Sequence, residues 1–208
     1  MDIKNRAREN FPSILLTLLS IVQAIALEEI WHKMHDSLHL HEVSWAFLLG
    51  WLQIGLSFEL LILIWLLYVD LLMRFRVTPT LADTILPFFV GLIELLMIDL
   101  AEPEKLGEWT IVLAVLLGLL IFISQKTLKR ARKDEHNLPA FNNASPATKL
   151  DLMKRALSVV IFIAAGLWLI ISRDTGYFAL IVLIAICVRL TYTLRLVSRI
   201  WSATIHQR

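Results

Sequence analysis

Residues 45–70 read WAFLLGWLQIGLSFELLILIWLLYVD, a long apolar run that closes on Asp70 and carries the carboxylate of Glu59 near its middle. A helix that crosses a bilayer needs about 20 apolar residues, and this run is longer. A carboxylate at that depth costs several kcal/mol unless it is paired, protonated or in contact with water. The rest of the chain must therefore bury this helix in a membrane and supply something that holds Glu59.

The remainder is built to match. Hydrophobic residues make up 58% of the 208 and charged residues only 18%, against about 25% charged in a soluble domain. The single cysteine, Cys187, rules out a disulfide framework within the chain. Apolar runs predict an all-α, polytopic membrane domain over 1–208, with spans at 11–30, 45–69, 82–100, 109–124, 152–171 and 176–197. The first run follows a basic start, as a signal peptide would. It closes instead on Glu28, Glu29 and Trp31 with no small-residue cleavage site, and so reads as a span. Pro12 is expected in the first turn of that helix, where proline is tolerated, and Pro87 is expected to bend the third. The fourth span is at the short end of what can cross. The loop 125–151 begins as a basic helix and breaks at Pro139 and Pro146.

Six spans bring both termini to one side. The N-terminus, the 70–83 link, the 125–155 segment and the end of the sixth span with the tail hold 3, 2, 8 and 4 basic residues, 17 of the chain's 20. Only Lys33, Lys105 and Arg173 fall on the other side, so the positive-inside rule predicts cytoplasmic termini. The outer side collects acid, with Glu28, Glu29, Asp36, Glu42, Asp99, Glu102, Glu104, Glu108 and Asp174. Trp31, Trp45 and Trp109 are expected at the outer interface and Trp201 at the inner one. The expected location is a cell membrane of the bacterial inner-membrane type.

Gln23, Glu59, Glu94 and Arg189 are polar groups embedded in the spans. At about 1.5 Å per residue, Glu59 and Arg189 both lie about 20 Å below the outer ends of their helices, so they are expected to pair. Either they fix helix packing or Glu59 lines a conduction or proton path. Ser13, Thr17, Ser20 and Ala24 recur along one face of the first helix with Gln23 beside them, a stripe suited to tight packing or to lining a pore. In the third span Asp83, Pro87, Gly91 and Glu94 form a second stripe, a face expected to point into the bundle. Gly91 permits a close approach there, and Glu94 needs a partner. His32, His35, His39 and His41 form the densest side-chain cluster. The first three are the metal candidates, although their spacing matches no tight metal motif. Proton sensing and a plain solvated loop are the other readings. No phosphate loop, HExxH or GxSxG is present, so neither enzymatic chemistry nor a cofactor is expected. Cys187 reads as packing. The basic run 126–133 marks the cytoplasmic side and suits anionic lipid headgroups rather than nucleic acid. The sequon at Asn143-Ala144-Ser145 is followed by Pro146 in that same cytoplasmic loop and is set aside.

The layout resembles the bacterial members of the lysosomal and endosomal potassium-channel family. The resemblance rests on Arg6 or Arg8 ahead of Phe11, a first span closing on Leu27-Glu28, and a second ending in Trp65-Leu66-Leu67-Tyr68-Val69. The family's hallmark is an Arg…Phe-Ser-Asp motif. Here the chain reads Phe11-Pro12-Ser13, so only Phe11 carries over. The resemblance implies an oligomer around a pore lined by the first helix, conducting cations.

Three functions follow. The first is an oligomeric small-cation channel lined by Thr17 and Ser20, constricted at Leu16 or Ile21, with the acidic rim concentrating cations. The second is an accessory or scaffold protein without transport. The third is a proton-coupled carrier using Glu59 or Glu94. The expected partners are membrane lipids, small cations and further copies of the chain. Gly50, Gly55, Gly91, Gly118, Ala164, Ala165 and Gly166 offer small-residue surface for assembly.

Overall fold

In a computed structural model the chain is described over residues 3–75, 80–138, 141 and 149–205. Six long helices account for most of it: α1 (Ile3–Asp36), α2 (Trp45–Arg74), α3 (Leu81–Asp99), α4 (Leu106–Ala131), α5 (Lys149–Ser172) and α6 (Tyr177–Ile205). All six contain segments long and apolar enough to cross a membrane, and no strand occurs among the described residues. The breaks read at Pro139 and Pro146, the sequon at 143–145 and the Thr78-Pro79 turn lie outside the described residues. So do the side chains of Lys4, Arg6, Arg8 and Trp201.

The helices overrun the apolar runs at several ends. α1 starts at Ile3, which puts Pro12 well inside it rather than in its first turn; the ring there removes one helical hydrogen bond. α1 also continues through His32 and His35 to Asp36 before a short 3-10 turn at Leu38–Leu40. The fourth segment is not short. A 3-10 turn at Pro103–Lys105 feeds directly into α4, which runs on to Ala131, so 29 residues are available to cross. Lysine and arginine are good helix formers, and the basic end of α4 extends beyond the apolar run for that reason. α3 runs unbroken through Pro87.

Local side chains set the helix starts. Ser44 Oγ accepts from Phe47 N–H at 3.1 Å and begins α2. Asp83 Oδ2 accepts from Thr80 N–H at 2.8 Å and begins α3. In the α5–α6 turn, Asp174 Oδ1 accepts from Gly176 N–H at 2.6 Å, and Arg173 takes a left-handed φ of 50°.

α2 packs against α1, α3, α4 and α6, while α3 packs against α1 and α4. α5 lies along α4 and α6 along α2, and these two consecutive helices touch each other only sparsely. Backbone-close crossings make this possible. Gly107 of α4 faces Gly166 of α5, where a Cβ on either residue would come within 2.8 Å of the other's carbonyl oxygen. At Gly91 of α3 a Cβ would overlap Val22 Cγ1 of α1. The core between these contacts is Leu, Ile, Val and Met, with Trp109 fully buried in it.

Candidate functional site: polar groups within the bundle

α1 separates its polar residues onto two faces. Leu15, Leu19, Gln23, Ala26 and Ile30 are buried, at the three- and four-residue spacing of one helix face. Ser13, Thr17, Ser20 and Ala24 are exposed and point away from the bundle. The hydroxyls of Thr17 and Ser20 donate to their own helix, to Ser13 O at 2.9 Å and Leu16 O at 2.8 Å. Gln23 therefore does not belong to the outward stripe. It is a core residue, and its amide Nε2 donates to Glu94 Oε1 of α3 at 2.8 Å. The Gly91–Val22 contact lies beside this bond. With no side chain at Gly91, α1 comes close enough for Gln23 to reach the carboxyl.

Glu94 is fully buried. Its second oxygen, Oε2, has no hydrogen-bond partner. The hydroxyl of Tyr68 on α2, also buried and without a partner, lies within electrostatic reach of Glu94 and of Asp83. The third-span stripe thus faces inward, as read from the sequence, with Pro87, Gly91 and Glu94 all buried.

A second buried group was not foreseen. Trp109 is fully buried, and its Nε1–H donates to Ser57 Oγ at 3.3 Å inside the core. Ser57 donates in turn to Gln53 O at 2.8 Å, and Gln53 Nε2 donates to Glu102 O at 3.3 Å. Gln53 and Ser57 lie one turn apart between buried Leu49 and Leu60. That four-residue spacing was readable in the sequence and marks one inward face.

Glu59 and Arg189 do not pair. Glu59 Oε1 accepts from Thr191 Oγ1 at 2.8 Å. Arg189 donates from Nε to Ser158 Oγ of α5 at 3.4 Å and from a terminal nitrogen to Thr193 Oγ1 of its own helix. Glu59 and this stretch of α6 are level with each other, but Arg189 is on another side of its helix. Thr191 is two residues beyond Arg189, about 200° around the helix at about 100° per residue. With Thr191 turned to Glu59, Arg189 is turned away towards α5.

The histidines do not converge. His32 lies 3.9 Å from Glu28, His35 bonds to Asp36 at 3.2 Å, and His41 meets His35 O at 3.1 Å. The ring of His39 packs against Gly50. No cluster of three or more metal-ligating side chains exists among the described residues, so His32, His35 and His39 do not form a metal site there. Beside them, Lys33 Nζ binds Glu102 Oε1 at 2.8 Å and Lys105 Nζ binds Oε2 at 2.9 Å. The hydrogen bond from Lys33, assisted by Lys105, holds the Glu102 carboxyl below its usual range. At the opposite end, Arg130 of α4 grips Asp83 with two hydrogen bonds of 2.6 and 2.5 Å.

Between α1 and α2 a cavity of about 340 Å³ is lined by Leu27, Ile30, Trp31, Met34, Trp51 and Phe58, and it is almost wholly apolar. No protein-family model, characterised protein or solved structure matches this chain.

Proposed function

We propose that this integral membrane protein assembles as a homo-oligomer and conducts small cations along an axis lined by the outward face of α1, with both termini in the cytoplasm. The observation that carries the reading is the exposed row of Ser13, Thr17 and Ser20. The polar side chains of the core are turned inward to one another, yet this hydroxyl row is turned outward, where a second copy of α1 would meet it. Exposed Ile21 on the same face would constrict the axis. The exposed acids Glu28, Asp36, Glu42, Glu104 and Glu108 share one end of the bundle and would raise the local cation concentration. The resemblance to the potassium-channel family supports the same arrangement.

Current from purified protein in liposomes tests it, alongside Thr17→Leu. Thr17 is exposed, so leucine leaves the bundle's own packing intact. Cation current that this variant abolishes, from protein that runs as an oligomer, is the expected result. Silence under K⁺, Na⁺ and proton gradients from well-folded protein refutes it. The second reading, an accessory subunit without transport, is favoured by the way Gln23, Glu59 and Arg189 each find a partner inside one protomer. Silent but well-folded protein would leave that reading in place.

A further inference from the structure

We propose that Glu94 is a proton-binding site inside the bundle, held by Gln23. This is independent of the pore at α1, because the site lies within one protomer on the opposite face of that helix.

The argument starts from charge. Glu94 is fully buried in the apolar part of α3. A bare carboxylate there needs a counter-charge or several donors. It receives one hydrogen bond, from the neutral amide of Gln23. Among the described residues, the half-buried cations on the helices packed against α3 are committed elsewhere: Lys33 of α1 to Glu102, Arg74 of α2 to Asp70, and Arg130 of α4 to Asp83. The side chain that bonds Glu94 is Gln23 of α1, which is not a cation. A proton supplies the missing charge at no cost in space.

The two oxygens have separate roles. Oε1 accepts the Gln23 amide and stays the carbonyl oxygen. Oε2, which has no partner, carries the proton. The Tyr68 hydroxyl is likewise buried and unpartnered, and it feels both Glu94 and Asp83. A proton on Oε2 leaves the carboxyl neutral and removes the charge that burial opposes.

Infrared difference spectroscopy on the protein in lipid nanodiscs, from about pH 5 to about pH 9, covers the range that buried carboxyls reach. The expected result is a carboxylic-acid carbonyl band that fades as pH rises, is missing in Glu94→Gln and shifts in Gln23→Leu, which removes the bond to Oε1. Carbodiimide labelling of the wild-type protein, located by peptide mass spectrometry, needs no variant. It is expected at Glu94 and to be lost at the alkaline end. Two outcomes overturn the proposal. One is neither band nor label at Glu94 at any pH. The other is protection from label by Na⁺ or K⁺ at fixed pH, which would make the ligand a metal cation.

Discussion

Gly107→Ala and Gly118→Ala, two identical substitutions in α4, should move stability in opposite directions. A Cβ on Gly107 would meet Gly166 O and Ile170 N of α5, both at 2.8 Å. These are backbone atoms of a packed helix, so they cannot swing aside, and α5 must lift from α4. Inserting a methyl group into a filled contact costs about 1–3 kcal/mol. Alanine returns at most about 1 kcal/mol in helix propensity, and less than that in the first turn, where Gly107 lies. The net expectation is a loss of about 1–2 kcal/mol. A Cβ on Gly118 would meet only Val159 Cγ1, at 3.6 Å, an ordinary contact. That substitution keeps the propensity gain and should stabilise by up to about 1 kcal/mol. Gly166→Ala should behave like Gly107→Ala. The Gly107→Ala, Gly166→Ala double variant should cost less than the two singles together, because the first methyl has already parted the helices. Equilibrium unfolding in mixed detergent micelles measures all four. If Gly107→Ala proves as stable as wild type, or the two α4 variants shift alike, the backbone-close crossing of α4 and α5 is wrong.

Two further outcomes concern the ends of the bundle. Glu102 is held below its usual range in the folded protein, so its contribution to stability is present above the ordinary glutamate value of 4.5 and is lost as pH falls through the lower folded value. Lys33→Met should flatten that acid-side loss in a pH series of thermal melts and remove less than about 1 kcal/mol at neutral pH. At the other end, Arg130→Lys should not rescue the paired grip on Asp83, because a single ammonium cannot reproduce the two-pronged geometry. Unfolding should show Arg130→Lys close to Arg130→Met, and equality of Arg130→Lys with wild type would refute the pairing.

What a sequence conveys about such a chain is the length and depth of its helices. Apolar runs disclosed six crossings, and counting along them placed Glu59 and Arg189 at one depth. Their azimuth was hidden, because it is set by which faces neighbouring helices present. Thr191, a residue with no outstanding signal, took the place that Arg189 was expected to fill. Trp109 is a similar case. It sits near a helix start, where an aromatic belt would be, and its ring is turned into the bundle and fully buried there. The inward face of the third span was legible because its signal was double, a glycine and a carboxyl one turn apart. Gln23 became intelligible only with Gly91 and Val22, since what decides its partner is how closely two helices approach.

The embedded charges also explain how the last two helices are held. α5 and α6 follow one another through a tight turn yet scarcely touch, each lying on a different helix of the core. Apolar contact between helices gains little in lipid, where the surroundings are equally apolar. What remains is close backbone packing and polar bonds. α5 has the first, through Gly107 and Gly166. α6 has the second: Glu59 of α2 binds Thr191, and Arg189, on the far side of the same helix, binds Ser158 of α5. One polar group on each side of α6 thus ties it in both directions. A direct Glu59–Arg189 pair would have satisfied both charges and taken Arg189 away from Ser158 of α5.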